Sequence, residues 1–517
     1  MAMLEKIREE RIAKVKKLRD LGIDPYPSKS ERTNVASDIT GAYGKFEGKS
    51  VTVAGRIMSW RDFGKLVFVR MQDSSGVIQI ILKKEVLTEE WDILPLYDIG
   101  DILEVSGIVM KTKTGEISIE ASSVRMLTKS IRPLPEKWSG VKDKETVFRQ
   151  RYLDMIMDPA KRWRFAKTAE ITFAIREFLN GKGFLEIKTP ILQPVYGGTT
   201  ARPFKTWVNA LSSEFFLAIS HELYLKRLIT AGFDQVYNLV GYFRNEGIDR
   251  SHNSEFTMVE TMSAYHNYEY NMDLTEELYV FVAKKVFGKT VFKINGQDVD
   301  LSKKWERIMM IDAIKKYTKV DFNEVKDVSA AKKLLTDSKF DGELPATIGE
   351  CLVEYFEFLV GPKLIEPTFV TGHPVEVSPL AKSMAFDPRF VERFEIYVGG
   401  QEQGDNWSEL NDPQELFERF KEQVARGRGG DEESHPMDIE FVEMMEYGMP
   451  PTTGLGPGIE RIAMMMTETE YIDDVIFFPM MRPSGITQQQ KELYGAENVG
   501  VPGKKVKKAK KEKEAVQ

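Results

Sequence analysis

The densest chemistry in the chain lies between Gly241 and Tyr265, GYFRNEGIDRSHNSEFTMVETMSAY. The pattern predicts a strand carrying Arg244 and Glu246 on one face, a polar loop, and a returning strand carrying Phe256 and Glu260 on one face. An arginine fixed on a strand offers a planar fork to a phosphate, and an aromatic next to it offers a flat surface to a base. A cross-strand ion pair beside a core phenylalanine would leave the same trace. A second element, Gly454-Leu455-Gly456-Pro457-Gly458-Ile459-Glu460-Arg461, is a glycine-rich strand running into a helix with an arginine in its first turns. Glycines let a backbone approach a ligand closely, and the arginine adds another fixed positive fork. The Gly-x-Gly-x-Gly spacing is not that of a dinucleotide fingerprint, and no early strand-helix-strand unit surrounds it.

These groups need a scaffold, and the sequence predicts two kinds. From Ser50 to about Met126 run five short β-type segments separated by Gly, Asp and Lys-Thr-Gly turns, the pattern of a small closed barrel of the oligonucleotide-binding type. After a polar, proline-containing connection (Arg132 to Lys142), a helix around Arg162 to Gly183 opens a long mixed region. There FFLAIS, QVYNLVGYF, SEFTMVETMSAY, RFEIYVGG and MEYGMPPTTGLG read as strands, and Asn271 to Phe287 and Asp412 to Arg426 as helices. The fold class expected is α+β. Ahead of the barrel, residues 4 to 21 form an amphipathic helix with seven basic and four acidic residues, suited either to packing on the protein or to RNA contact.

Composition narrows the function classes. The 517 residues are 42% hydrophobic and 29% charged, as in a folded protein. Neither a run of about 18 uncharged apolar residues nor a secretory signal is present, so no membrane partner is expected and a cytoplasmic location is the default. Cys351 is the single cysteine, which excludes an intramolecular disulfide and a cysteine metal cage. A net charge of −7 argues against coating DNA or RNA by bulk attraction and leaves locally read RNA open. The tail from 504 to 517 carries seven lysines and two glutamates, leaving −12 on the rest; it reads as disordered, either a solubilising tail or an arm for RNA phosphates.

Together, Phe243-Arg244-Asn245-Glu246, His252-x-x-x-Phe256 and Gly454-x-Gly456-x-Gly458-x-x-Arg461 resemble motifs 2 and 3 of the class II aminoacyl-tRNA synthetases. Gly183 to Pro190 is similar to motif 1, whose proline lies at the dimer interface, and the N-terminal barrel looks like subclass IIb. Arg151 to Asp154, Ala201 to Phe204, Glu222 to Lys226, Glu376 to Leu380, Ser408 to Asp412 and Phe478-Pro479 resemble its lysyl-tRNA synthetase branch, and the likeness spans about residues 4 to 483. It implies an antiparallel sheet flanked by helices, a homodimer, and ATP-dependent activation of L-lysine to lysyl-adenylate followed by transfer to the 3′ end of tRNA(Lys). By position, Arg244 would hold the α-phosphate, Glu246 and His252 would lie beside the nucleotide, Phe256 would stack on adenine, and Arg461 would cover the base and bind the γ-phosphate. Glu395 and Glu402 match magnesium-binding carboxylates, hard oxygen ligands that phosphates and water would complete; the alternative is surface glutamates of an edge strand. Such a reaction needs no protein nucleophile, and no nucleophile motif is recognisable.

The resemblance also implies an amino-acid pocket of Gly198, Glu222, Glu260, Met262, Asp405, Trp407 and Glu409, whose carboxylates would meet the two ammonium groups of lysine. Here the chain departs from the family. Met262 stands where a tyrosine is usual, Trp407 where tyrosine or phenylalanine is, and Asp405 where asparagine is; Thr199 replaces alanine, and Ala218 and His221 replace an arginine and a proline. At the nucleotide end, Ser251 replaces an arginine for which Arg250 is a candidate substitute, Pro457 interrupts the glycine strand, and Asp473 replaces another arginine. In the barrel, Arg61, Phe68, Gln79 and Glu116 match positions that read the central anticodon uridine; Phe68 as barrel core and Glu116 as a turn residue are the alternatives. The expected division is a leading helix and linker (1–49), the anticodon barrel (50–130), a linker (131–148), the catalytic domain (149–485) and the tail (486–517). Two other readings stay open: a synthetase-like ligase for another cationic amino acid or a protein, and a non-catalytic RNA-binding paralogue.

Overall fold

The computed structural model describes residues 2–135, 144–199, 201–428 and 436–483, so the lysine-rich tail and most of the Arg132 to Lys142 connection lie outside the described residues. The chain separates into two units, Met1–Ala160 and Lys161–Gln517. No helix among the described residues is long and apolar enough to cross a membrane.

In the first unit, β1 (Ser50–Asp62), β2 (Leu66–Gln72), β3 (Val77–Lys83), β4 (Ile102–Lys111) and β5 (Ile117–Thr128) close a barrel in the order β1-β2-β3-β5-β4. Alternation dictates it: Val67, Val69 and Met71 point inward with Ile78, Ile80 and Leu82, while Phe68, Arg70 and Gln79 point out. Closure depends on Gly107 at a bulge, because a Cβ there would sit 2.1 Å from the Glu120 carbonyl oxygen. The leading helix α1 (Ala2–Asp20) buries Val15 and Leu18, Leu18 within the barrel's own core. Its Arg11 is buried and donates to the carbonyls of Ile99, Ser130 and Arg132 at 3.0, 3.0 and 3.1 Å, while Lys14 pairs with Asp98 at 2.8 Å. Packing on the protein is therefore the role that the helix's apolar face and these two cations serve.

The second unit is built on an eight-stranded sheet. Its strands are β6 (Leu185–Glu186), β7 (Gln235–Phe243), β8 (Glu255–Ala264), β9 (Glu306–Met309), β10 (Thr368–Pro374), β11 (Phe390–Val398), β12 (Gln401–Ser408) and β13 (Thr452–Pro457), in the order β9-β10-β11-β12-β13-β8-β7-β6. Every pairing is antiparallel except the two outermost. Helices α2 (Arg162–Gly181), α3 (Glu222–Thr230), α4 (Tyr268–Val282), α5 (Ile348–Leu359) and α6 (Ile459–Met466) flank it. Ile171, Ile175, Tyr279 and Ile462 from three of these helices share a core with Tyr237, Val259, Phe394 and Leu455 of the strands, which seals one sheet face, while Val236 and Met262 pack in a separate cluster with Leu225 and Ile229 of α3.

Two sequence expectations are corrected. The strand β7 ends at Phe243, so Arg244 and Glu246 stand on the loop beyond it rather than on one strand face; one bond, Arg244 N–H to the Ser254 carbonyl at 2.9 Å, continues the pairing. The segment read as a strand from Met445 is the end of a helix (Ile439–Glu446), and the strand starts only at Thr452, after Pro450-Pro451.

Candidate active site

Strand β13 presents Gly454 and Gly456 at alternate positions, hence on one side, and Gly458, still extended just beyond the strand's end, leads into α6. A Cβ on Gly454 would lie 2.5 Å from Met262 Cε, and one on Gly456 3.1 Å from Met258 Cε. The glycines thus form the bare floor of a trough whose walls are side chains of β8 and β12. Pro457 fits because Gly404, opposite it, would otherwise place a Cβ 2.8 Å from the proline Cα.

A cavity of about 570 Å³ opens over this trough and brings together Arg244, Glu246, His252, Phe256, Glu395, Glu402, Asp405 and Arg461. Arg244 carries its guanidinium 5.2 Å from the Phe256 ring centre, and Phe256 lies 5.9 Å from Tyr242 in a stacked arrangement. The buried Nε of Arg244 has no hydrogen-bond partner, an N–H left free for an anion. Arg461 forms an ion pair with Glu402, donates to its carbonyl at 3.0 Å, and reaches His252 Nε2 at 3.1 Å. Because arginine can only donate, Nε2 accepts and the ring proton sits on Nδ1, which faces Asp249 at 2.9 Å. Ser251 lines the cavity, whereas Arg250 lies over the Tyr471 ring at 5.5 Å.

Glu395 lies on β11 and Glu402 on the neighbouring strand β12, where Glu402 pairs with Tyr397, two residues along from Glu395, and both border the cavity. Burial alone would raise the Glu395 carboxyl, but His373 at 3.2 Å and Arg393 at 2.9 Å outweigh it and hold it down at about 2. It is therefore an ionised oxygen donor throughout the neutral range. Glu357, on α5, also borders the cavity; burial and then the charge of Glu395 push it up to about 8. Among the described residues, no group of three or more His, Cys, Asp or Glu is arranged around a common metal point.

The amino-acid end is built differently. Gly198, Asp405 and Trp407 line a small adjoining cavity of about 60 Å³, with Arg393 bridging Asp405 (3.0 Å) and Glu395. Beyond this wall Glu222, Glu260 and Glu409 are buried. Glu260 accepts from the Ser220 hydroxyl at 2.8 Å and the His221 N–H at 2.9 Å; burial, then the charge of Glu222, raise it to about 7. His221 is lowered to about 4 by burial and is neutral, its Nδ1 2.9 Å from Thr189 Oγ1. Met262 lines neither cavity; it packs in a core cluster against the Gly454 backbone.

Three groups were not singled out from sequence. Lys226, one helical turn after Glu222, is buried between Glu222 and Glu409. Arg393 was legible in principle, since i, i+2 on a strand puts it on the face of Glu395. His373 carried no local signal, because only the β10–β11 pairing brings it to Glu395.

In the barrel, Phe68 is half-buried on the outer face and meets Phe63 edge-on at 5.9 Å. Arg61 pairs in register with Phe68, Arg70 with Gln79, and Gln79 with Ser118, to which it donates at 2.9 Å. Exposed Glu116 lies 4.0 Å from Arg70. All four expected barrel residues thus border one outer patch, and Phe68 is not barrel core.

Known proteins agree with this architecture. Residues 143–482 match the model for class II tRNA synthetases (D, K and N), and residues 51–127 match the OB-fold nucleic acid binding domain. The chain is 48% identical over 482 residues to the lysine–tRNA ligase of Thermoanaerobacter sp. (strain X514), covering 93% of this chain and 96% of that protein. It is 43% identical to the lysine–tRNA ligases of Thermosipho africanus (95% and 99% covered) and Bacillus subtilis (91% and 96% covered). With a barrel at one end, a glycine-floored antiparallel sheet at the other and these matches along nearly its whole length, the chain belongs to the class II tRNA synthetases and, within them, to the lysine–tRNA ligase family.

Proposed function

We propose that the protein activates L-lysine with ATP and transfers it to the 3′ end of tRNA(Lys). The observation that carries this reading is the pairing, within one trough, of a nucleotide-sized cavity bordered by Arg244, Phe256 and Arg461 with three buried glutamates beyond Gly198. The lysine carboxylate attacks the α-phosphorus of ATP in line, the bond to the β-phosphate oxygen breaks, and pyrophosphate leaves. Arg244 holds the α-phosphate through its free Nε–H. Arg461 exchanges Glu402 for the γ-phosphate and covers the base; Glu246 and His252 border the nucleotide and Phe256 stacks on adenine. This is catalysis by positioning and charge stabilisation. Glu395 and Glu402 suit magnesium, being neighbouring hard oxygen donors of which the first is firmly ionised. Bound there, the ion would neutralise phosphate charge as pyrophosphate departs. The tRNA ribose hydroxyl then takes the lysyl group from the adenylate, with release of AMP.

Glu222, Glu260 and Glu409 receive the substrate's ammonium groups, and Asp405 and Trp407 form the wall with Gly198. Loss of a hydroxyl at Met262 removes about 0.5–1.5 kcal/mol of hydrogen bonding, and the Trp407 indole N–H donates to Glu409 at 2.7 Å. Two protomers pair through the Gly183 to Pro190 region, where Leu185 and, directly after it, Ile191 and Leu192 expose apolar side chains; sedimentation of the full chain tests this. Amino-acid-dependent pyrophosphate exchange over all amino acids, followed by charging of a tRNA panel, tests the assignment. Exchange with another cationic amino acid but not with lysine overturns it. Phe68→Ala is expected to raise the KM for tRNA by about 1–3 kcal/mol, roughly 5- to 150-fold, with pyrophosphate exchange unchanged; equal loss in both would remove the anticodon role.

A further inference from the structure

Lys226 lies 1% exposed on α3, its ammonium bonded to the Glu222 carboxylate one turn earlier and to Glu409 Oε2 at 2.5 Å. Its helix neighbours give it no route to water, and Phe441 lies beside it with the ring centre at 5.9 Å. Glu409 Oε2 also accepts from Trp407, while Glu409 Oε1 is buried without any partner. The cluster therefore holds two carboxylates, one internal cation and one unanswered acceptor. Its formal charge is −1, and a buried net charge is costly unless something pairs with it.

From this juxtaposition we infer that Lys226 is a built-in counter-ion that fixes the Glu222–Glu409 pair at one net negative charge, so that this pair accepts one ammonium. The inference deepens the proposed lysine activation and rests on it. Without Lys226 the two carboxylates would call for two cations, or for a proton in place of one. With Lys226 but only one carboxylate, the cluster would be neutral and lose its pull on that ammonium. Lys226 does not touch the reacting atoms; it is a positioning residue whose charge, rather than its shape, sets what the pocket selects. Burial disfavours its charged form, but Glu222 and Glu409 raise its pKa, so the ammonium is retained.

A charge-counting cycle tests this on the full chain by pyrophosphate exchange, reading the ratio of kcat/KM for lysine to that for norleucine, which lacks the ε-ammonium. Glu222→Gln makes the cluster neutral and should cut the ratio at least 30-fold. Glu222→Gln combined with Lys226→Met restores −1 and, although Glu222's own contact with the substrate stays lost, should recover about tenfold or more of the ratio that Glu222→Gln costs, through the KM for lysine rather than kcat. If the double variant stays as poor as Glu222→Gln, Lys226 is only a structural partner and the inference fails. If Lys226→Met alone lowers the KM for lysine while Glu222 is intact, Lys226 is a plug displaced by substrate, which also overturns it. A parent that activates a different cationic amino acid removes lysine as the substrate, yet the same cycle run with that amino acid still decides the counter-ion role. A parent active with no cationic amino acid overturns both.

Discussion

Arg461 with Glu402 at one end of the trough, and Lys226 with Glu222 and Glu409 at the other, are both clusters of opposed charge. The first borders the large cavity with its side chains 23% and 33% exposed; the second is sealed, with side chains at 0% to 4%. Solvent next to the first pair lets each partner be exchanged for a phosphate or a metal at modest cost. In the second, no partner can leave without stranding a buried charge, so the charge count itself becomes a property of the fold. The nucleotide end thus recognises by replacement and the amino-acid end by balance.

Substitutions at the two ends should separate these modes. The largest effect is expected for Arg244→Ala, which removes the free N–H donor: adenylate formation should fall about 100- to 1000-fold with the lysine KM little changed, measured by single-turnover kinetics. A comparable rise in lysine KM would mean that the ends are not independent. Gly198→Ala probes the other end. Its φ of +92° and a Cβ 2.6 Å from Ser220 Oγ and 3.1 Å from Glu222 Cβ should cost about 1–3 kcal/mol in stability and raise the KM for lysine but not for ATP. The gentlest probe is pH. Glu260, at about 7, must lose its proton before it can pair with an ammonium, so the lysine KM should fall roughly tenfold between pH 6 and 8 while the ATP KM stays flat. For folding the sign reverses: the raised pKa favours the protonated, folded form, and this group's contribution is lost as pH rises from its ordinary 4.5 through about 7. Parallel movement of both KM values with pH would break the comparison.

The sequence made the nucleotide end more legible than the amino-acid end. Alternation with glycine at 454, 456 and 458 marks a bare strand face whatever lies around it, and the five barrel strands follow from period-two burial. Where Phe243 stops pairing was not legible, because the ladder ends through tertiary contacts and not through composition. Met445 to Pro451 departs from a strand for a related reason: a short apolar run suits a helix end as well as a strand. Lys226 was hidden because Glu-x-x-x-Lys on a helix ordinarily marks a solvated face. Only the approach of Glu409 from the sheet turns that surface pattern into a buried one.

The buried Arg11 of α1 has a consequence for synthesis of the chain. Its acceptors at Ser130 and Arg132 lie 119 and 121 residues downstream. At about 5–20 residues per second, the helix emerges roughly 6 to 24 seconds before the last of the carbonyls that receive its guanidinium exist. Until then an apolar stripe with a cation among it stands uncovered at the ribosome. The helix is thus made well before it can finish docking, and slowed translation between residues 20 and 130 would lengthen the window in which nascent-chain chaperones can hold it.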